Sequence, residues 1–386
     1  MRETPVLAVV GGGRWARVYL SVLARMPLSC RLAVVSRHGG ERVAAMTDAC
    51  GRSVTVLPDL DALLAAGKPA GAVVVNAAMS HVDTARTLLS AGVPVLVEKP
   101  AATDAAAARS LLAAAEHAGV ALMPALTYLH CSYLDHFARL VRAGAPRPAT
   151  LRLVWTDPAG EVRYGEQKDH DRGIGIAMDV VPHVWGILVA VLGRQPVSVE
   201  RCVVERGGRG VELRLRAGAT LCEVLIGRQT GARQRLITVG GRLAIDFSTE
   251  PGTIRVGDSQ VSGDADWNIR TDRPVRRQLD AFVAAMAVRA TQESLSDLLE
   301  TARLAGECDG LVKARQRTML AATPASVFDA DTACAVQELL ADARVRTGRL
   351  QAGDRAGLEA QVQALRARAA AEPDGDWLRV LSAEGV

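Results

Sequence analysis

Lysine, aromatic residues and paired cysteines are all scarce in this chain of 386 residues. Phe, Trp and Tyr together make up 3% of the sequence, and the arginines are scattered, which argues against a nucleic-acid-binding surface. The seven cysteines are far apart and include no CxxC pair, so neither a disulfide framework nor a zinc site is expected. The first apolar run is too short for a signal peptide and no apolar stretch reaches membrane-spanning length. We therefore expect a cytoplasmic protein.

The chain contains four lysines, and one of them stands in an unusual place. Lys99 lies between a strand-like apolar run and Pro100, in the segment VLVEKP. This position favours a chemical role, although a surface lysine at the end of a strand is the alternative. The length predicts two domains that each bury a core.

The first third of the chain alternates between continuous apolar runs and helical periods. Such alternation predicts a doubly wound parallel sheet, because strands buried on both faces read as unbroken apolar runs. The predicted strands cover residues 5–10, 32–35, 53–57, 71–76, 93–98 and 122–124, and the predicted helices cover 41–50, 59–66, 81–91 and 105–117, with a first helix opening near Trp15.

A glycine-rich turn joins the first strand to the first helix and reads Gly11-x-Gly13-x-x-Ala16. Gly11 would allow a tight turn, Gly13 would let a pyrophosphate approach the backbone, and Ala16 would pack the helix closely on the strand. The following helix N-terminus offers N–H groups to phosphates. Between strand and helix this pattern predicts a dinucleotide site, with a flexible glycine loop as the alternative.

The end of the second strand bears on the choice of cofactor. It reads Ser36-Arg37-His38, with no acid to bind the ribose hydroxyls of NAD. A hydroxyl and a guanidinium suit a 2′-phosphate, so we favour NADP over NAD. The alternative is that Arg37 is merely solvated in a loop.

Over roughly residues 5–322 the chain resembles the Gfo/Idh/MocA oxidoreductases. The resemblance rests on VVGGGRWA at Val9–Ala16, VVVNAAMSHVDTARTLLSAGVPVLVEKP at Val73–Pro100 and MDVVPHVWGILVAVLG at Met178–Gly193. It also includes TVGGRLAIDF and RRQLDAFVAAM further along. It implies a Rossmann domain, then an open, mostly antiparallel sheet with flanking helices. The face of that sheet is implied to form a homo-oligomer.

The resemblance also implies roles for individual residues. Lys99, His183 and Asp179 would be catalytic, His81 would open a helix beside the cofactor, and the bond before Pro100 would be cis. The residues expected to contact the cofactor are Gly11, Gly12, Gly13, Arg14, Trp15, Ser36, Arg37, His38, Asn76, His81, Glu98 and Lys99.

Two features depart from the family pattern. Gly186 stands where the family has an acid, and the segment MPALTYLHCSY replaces an Asn/Arg-rich stretch. Its Tyr128-x-His130 is similar to the thiazolinyl imine reductases, which makes Tyr128 and His130 candidate substrate-binding residues. Tyr128 as a packing residue and His130 as a structural residue are the alternatives.

Hydride transfer to a carbon also requires a proton. Histidine in general titrates near neutrality, so His183 would be the better general acid, while Lys99 would stabilise a developing oxyanion. Asp179 would orient a substrate hydroxyl or His183; their four-residue spacing places both on one helix face. The alternatives are that His183 is a core histidine and that Asp179 is a helix N-cap.

The run Lys168–Asp171 is interpreted as a solvated loop rather than a metal site. The longer loop 157–175 is a candidate lid.

The remaining sequence is organised as strands and then helices. Apolar alternation predicts strands within 149–161 and 197–261, and a helical period returns over 274–321. Beyond Pro324, stripes that include Val336 and Leu358 predict a tail of two helices that packs on the body or on another subunit. The predicted domains are therefore 1–127 for NADP binding, 128–322 for substrate, and a helical extension over 323–386.

The sequence thus predicts an NADP-dependent, biosynthetic reductase acting on the C=O carbon of a small polar substrate such as a keto sugar. An imine reductase is one alternative, and a non-catalytic NADP-binding sensor or scaffold is another. Neither a membrane nor nucleic acid is an expected partner.

Overall fold

The computed structural model describes residues 4–37, 43, 51–144, 147–163, 166–167, 174–249, 252–261, 274–287, 292–323, 329–342, 363 and 367. The chain divides into two compact units: Met1–Ser132 with Ala265–Arg303, and Tyr133–Asp264 with Leu304–Val386. Residues 265–303 thus group with the N-terminal segment although they follow the strands of the second unit along the chain. The domain boundaries drawn from the sequence stay a prediction.

The described strands and helices have the following bounds. The strands are β1 Val6–Val10, β2 Arg31–Val35, β3 Val54–Leu57, β4 Gly71–Val74, β5 Val95–Val97, β6 Leu122–Pro124, β7 Thr150–Pro158, β8 Val162–Arg163, β9 Glu166–Gln167, β10 Val197–Glu205, β11 Gly210–Ala217, β12 Thr220–Thr230, β13 Gln234–Val239, β14 Leu243–Asp246, β15 Thr253–Val256 and β16 Ser259–Val261. The helices are α1 Arg14–Leu23, α2 Leu60–Ala65, α3 His81–Ser90, α4 Ala105–Ala118, α5 Ser132–Ala143, α6 Ile176–Leu192, α7 Pro274–Met286, α8 Gln292–Ala322 and α9 Ala330–Asp342.

The first unit is built on a six-stranded parallel sheet in the order β3-β2-β1-β4-β5-β6. Its central strand β1 is buried on both faces. Leu7 and Val9 join one apolar cluster with α1 and α7, whereas Ala8 and Val10 join a second cluster on the other face. This double burial explains the unbroken apolar run in the sequence. The helix predicted over 41–50 lies outside the described residues except for Val43.

The second unit contains an eight-stranded sheet in the order β10-β11-β12-β7-β13-β14-β15-β16. Its pairs are antiparallel except for β12 and β7, which run parallel. Strand β11 alternates buried Val211 and Leu213 with exposed Glu212 and Arg214, so one face is polar. The predicted fold class, a parallel Rossmann sheet followed by a mostly antiparallel sheet with helices, is confirmed.

Two segments differ in detail from the sequence predictions. The loop predicted over 157–175 contains two short strands, β8 and β9, which pair antiparallel. Of the two predicted tail helices, the first is α9, with Val336 and Leu339 fully buried. The second, including Leu358, lies outside the described residues. Among the described helices, none combines the length and the apolarity needed to cross a membrane.

Candidate functional site

The glycine-rich turn leaves β1 where the strand order reverses, between β1 and β4. In open parallel sheets the connections diverge at this point and leave a crevice at the carboxyl ends of the strands. Gly11 has a φ of +141°, and a Cβ on it would lie 2.8 Å from the carbonyl group of Val75. Both the backbone conformation and the close approach to the end of β4 therefore require glycine here.

Gly13 is the N-cap of α1 and makes no side-chain cap hydrogen bond. It is exposed, and a Cβ built on it would meet no described heavy atom within 4 Å. The helix therefore begins at an open glycine with its partial positive charge and first-turn N–H groups at the carboxyl edge of the sheet. Arg14 and Trp15 follow in the first turn and are half-buried, and Ala16 is fully buried against the sheet. This arrangement fits a pyrophosphate.

The end of β2 lies directly beside the turn. Ser36 is buried, and a Cβ on Gly12 would clash with its hydroxyl group. Arg37 follows and is exposed. His38, the third residue predicted here, lies outside the described residues. A hydroxyl and a guanidinium thus occupy the position at which NAD enzymes usually carry an acid.

Asn76 and His81 lie after β4 on the same edge. Asn76 Nδ2 donates to Thr84 Oγ1 at 2.8 Å, while its buried Oδ1 has no partner among the described residues. His81 begins α3, is buried, and has Nδ1 2.9 Å from the Pro100 carbonyl and Nε2 3.1 Å from the Asn76 carbonyl. The imidazole therefore ties the end of β4 to the turn that follows Lys99. The orphaned amide oxygen of Asn76 can accept a hydrogen bond from a bound ligand.

Glu98 directly follows β5 and belongs to a buried network of hydrogen bonds. Its Oε1 accepts from the Tyr19 hydroxyl at 2.7 Å, and its Oε2 accepts from the Lys99 backbone N–H at 3.0 Å. The Tyr19 oxygen accepts from Gln278 Nε2 at 2.8 Å, and Gln278 Oε1 accepts from Thr127 Oγ1 at 3.1 Å. Burial raises the pKa of Tyr19 well above its usual value, and the Glu98 charge raises it further. This network of hydrogen bonds links α1, the end of β5 and α7 with the segment that carries Tyr128.

Lys99 is half-buried directly after this carboxylate, and the Lys99–Pro100 bond is cis, as the resemblance implied. The backbone on both sides of the lysine is therefore held by buried side chains, Glu98 before it and His81 after it.

Tyr128 and His130 lie in the 3-10 helix Thr127–His130 and are half-buried. Burial lowers the pKa of His130 to about 4, and the nearby Arg277 guanidinium lowers it as well. Arg277 Nη1 also donates to the His130 carbonyl at 3.4 Å. His130 is therefore neutral at pH 7, so it can accept or donate a hydrogen bond but does not carry a positive charge.

Helix α6 in the second unit carries both Asp179 and His183. The N-cap of α6 is Gly175, so the alternative of Asp179 as N-cap is wrong; Asp179 lies within the first turn. Its Oδ2 accepts from Arg228 Nη2 at 3.0 Å, and Arg228 Nη1 donates to Glu338 Oε1 at 2.9 Å. Burial acts to lower the pKa of Arg228, but Glu338 and Asp179 more than offset this and raise it. Asp179 thus belongs to an ion triad that includes Glu338 of the tail helix.

His183 stacks on an indole. Its imidazole centroid lies 4.9 Å from that of Trp155, at an interplanar angle of 19°. The Arg235 guanidinium carbon lies 3.7 Å from the centroid of the Trp155 ring, and Arg235 is anchored by Asp157 at 2.5 Å. His183 is half-buried whereas Trp155 and Arg235 are buried, so the stack fixes the plane of the imidazole against a rigid surface.

Several residues of these clusters were missed by the sequence analysis. Tyr19 lies in the helix predicted to open near Trp15, and Trp155 lies in the strand region predicted over 149–161, but apolar periodicity describes packing and not hydrogen bonding. Arg228 and Glu338 are separated by 110 residues, and no local pattern links them. The run Lys168–Asp171 lies outside the described residues.

The comparisons with known proteins agree with this geometry. Residues 6–126 match the model of the Gfo/Idh/MocA family, described as an oxidoreductase family with an NAD-binding Rossmann fold. The resemblance inferred from the motifs is thereby confirmed. Among curated proteins, no significant sequence match is found.

Solved structures share the fold at low identity. A 3-ketoreductase from Actinomadura kijaniata, KijD10, in complex with NADP and TDP-benzene is 20% identical, with a TM-score of 0.65 over 78% of this chain and 96% of its own. A Gfo/Idh/MocA family oxidoreductase from Vibrio cholerae is 19% identical, with a TM-score of 0.61 over 80% and 98%. A putative oxidoreductase from Magnetospirillum magnetotacticum is 21% identical, with a TM-score of 0.60 over 79% and 100%.

Proposed function

We propose, from the match of residues 6–126 to the Gfo/Idh/MocA oxidoreductases, that this chain is an NADP-dependent biosynthetic reductase. Its substrate would be a small polar molecule with a reducible C=O carbon, such as a keto sugar. The observation that carries the proposal is the open glycine turn at the switch point, followed directly by the uncapped start of α1. That KijD10 is a 3-ketoreductase solved with NADP supports the same activity class here.

The residues at the carboxyl edge of the sheet fit a dinucleotide. Gly13 and the first turn of α1 would hold the pyrophosphate, and the orphaned Asn76 Oδ1 would accept from a hydroxyl or amide of the nicotinamide half. The bound dinucleotide supplies the hydride. The buried side chains of Glu98 and His81 keep the Lys99 backbone in place beside it.

Preference for NADP is proposed from the end of β2. The Ser36 hydroxyl and the exposed Arg37 guanidinium would bind a 2′-phosphate, with which arginine pairs in bidentate geometry. Fluorescence titration should show that NADPH binds much more tightly than NADH, and that Arg37→Ala removes most of the difference. Equal affinities of the unaltered protein for the two cofactors would contradict the preference for NADP.

The proton chemistry is proposed for Lys99 and His183. A Lys99 ammonium would stabilise negative charge on the substrate oxygen, and His183 would donate the proton that completes the alcohol. Asp179 accepts from Arg228 in the structure, so we propose that it orients His183 through the helix that carries both.

Kinetics with a panel of keto sugars, followed by the loss of NADPH absorbance, test this assignment. Lys99→Ala and His183→Ala should each reduce kcat at least about a hundredfold, which is typical when an acid/base group is lost. Binding of NADPH to His183→Ala should stay unchanged, since the residue belongs to the second unit. Unchanged turnover in either variant would remove that residue from the mechanism.

The imine reductase is the second candidate, favoured by Tyr128 and His130. A neutral His130 could accept a hydrogen bond from a protonated imine, since burial and Arg277 keep it uncharged at pH 7. If the protein reduces cyclic imines but does not reduce keto sugars, the imine reductase is the correct assignment. Tight NADPH binding without turnover of either class would select the sensor or scaffold.

A cytoplasmic location and a homo-oligomer formed through the second sheet also remain proposals. The polar face of β11, with Glu212 and Arg214 exposed, supports a water-accessible or polar contact surface. Sedimentation velocity would show whether the chain is an oligomer, and a monomer at micromolar concentration would contradict that expectation.

A further inference from the structure

The tail helix α9 is held against the rest of the second unit by specific contacts. Asp329 accepts from the backbone N–H and hydroxyl of Thr332 at 2.8 and 2.9 Å, which caps the start of the helix. The Asp331 carboxylate pairs with Arg209. Gly207 has a φ of +67°, and a Cβ on it would clash with the Asp331 carbonyl. The helix therefore packs against the backbone at a position that admits only glycine.

Glu338 of α9 caps helix α6 from a distance. The N-cap of α6 is Gly175, which has no side chain to accept from the first-turn N–H groups. Glu338 Oε2 takes that role by accepting from the Ile176 N–H at 2.8 Å. A Cβ on Gly175 would lie 2.9 Å from this oxygen and 2.6 Å from Asp309 Oδ1, so the glycine makes room for both carboxylates. A carboxylate at this point also interacts favourably with the helix dipole.

The other oxygen of Glu338 reaches the face of α6 that bears the site residues. Oε1 accepts from Arg228 Nη1 at 2.9 Å, and Arg228 Nη2 donates to Asp179 Oδ2 at 3.0 Å. Asp179 and His183 are one helical turn apart on that face. The remaining charged pair beside the cluster, Lys313 and Asp309 at 2.5 Å, is neutral as a unit. One buried carboxylate thus fixes both the N-terminus of α6 and the arginine that holds its first turn.

We propose that Glu338, and through it the helix α9, is a positioning element for α6 that sets where His183 lies. The proposal rests on the proposed function only in naming His183 as the proton donor. It assigns a role to the C-terminal extension for which the sequence gives no motif. It also gives a reason for retaining a buried set of ionisable groups, where an apolar set would cost less to desolvate.

The stack of His183 on Trp155 provides a test that needs no substrate. In protein labelled with ε1-13C histidine, the His183 proton should be shifted upfield by the indole ring current, and its signal is identified by its loss in His183→Gln. Glu338→Ala should move this signal toward its unstacked position. In Glu338→Gln the glutamine has one carbonyl oxygen, which can accept from the Ile176 N–H or from Arg228 Nη1 but does not replace both carboxylate oxygens. An intermediate shift is therefore expected. The matched control is Asp331→Asn, on the same helix, which should leave the signal in place.

The full chain is used throughout, and the seven histidines are few enough to be distinguished. An unmoved His183 signal in both Glu338 variants, with the fold intact by circular dichroism, would overturn the proposal. If Glu338→Ala unfolds the protein, the position of the signal in Glu338→Gln decides. An equal shift in Asp331→Asn would also overturn it, because the effect would then be general loosening of α9.

Kinetics provide a second measurement once a substrate is found. Glu338→Gln should lower kcat by up to about a hundredfold with KM nearly unchanged, because small misplacements of a catalytic group mainly reduce the rate of the chemical step. Failure to find any turnover would reject the proposed function, yet the NMR result would still decide whether Glu338 positions α6. A rise in KM with kcat unchanged would contradict the positioning role.

Discussion

His130 permits a quantitative test of how burial controls a charge in this protein. The folded pKa is about 4, against 6.5 for an ordinary histidine, because the side chain is desolvated and faces Arg277. As the pH falls below 6.5, the unfolded chain therefore binds a proton before the folded chain does. Stability from this residue is complete above pH 6.5 and is lost progressively as the pH falls towards 4.

The expected magnitude follows from the same pKa values. Each unit of pKa corresponds to about 1.4 kcal/mol, which gives an upper limit of about 3 kcal/mol for the linkage. His130 is only half-buried, and solvent screening reduces the expected effect to about 1–2 kcal/mol. Glutamine at this position cannot be protonated. When the pH falls from about 7 to about 4.5, the unfolding free energy of His130→Gln should therefore drop by about 1–2 kcal/mol less than that of the unaltered protein.

Urea unfolding at the two pH values measures the difference directly. Carboxylates titrate in the same range, but their contribution is common to both proteins and cancels in the comparison. The exposed His117 on α4 provides the control, since His117→Gln removes a side chain that folding barely desolvates. Equal losses of stability in the unaltered protein and in His130→Gln would refute the reasoning, as would a His130 signal that titrates near 6.5 by NMR.

Two further predictions concern the first unit. Tyr19→Phe removes the hydroxyl between Glu98 and Gln278, so the unfolding free energy should fall by about 2–4 kcal/mol, since a buried charged acceptor loses its donor; a loss below about 0.5 kcal/mol in urea unfolding would mean that water replaces the hydroxyl. Gly11→Ala places a Cβ 2.8 Å from Val75 at a φ of +141°, so NADPH binding should be abolished and stability should fall by about 1–3 kcal/mol. Gly67→Ala, also at a positive φ but with no described atom near its Cβ, should lose stability and retain NADPH binding.

The sequence predicted best those parts of the molecule that depend on local pattern. The strand ends of the first sheet agree within two residues, because strands such as β1 are buried on both faces and end at glycine or polar residues. The start of α3 at His81 and the cis bond before Pro100 followed from the family motif. These features are encoded within a few residues of where they occur.

The contacts that hold the candidate site residues were not predictable in the same way. Asp179 could have been an N-cap on local grounds, but Gly175 begins the helix one turn earlier. Its partner Arg228 and the carboxylate of Glu338 come from distant strands and helices. Glu338 lies in the first predicted tail helix, but the hydropathy of a side chain does not reveal which buried charge it will meet.

The ion triad of Asp179, Arg228 and Glu338 has an evolutionary consequence. Replacing any single member leaves a buried charge short of a partner, which typically costs several kcal/mol, on the order of 3–5. The three positions are therefore expected to change together. Homologues that end before α9 should carry an uncharged residue where this chain has Arg228, and a polar side chain where it has Gly175.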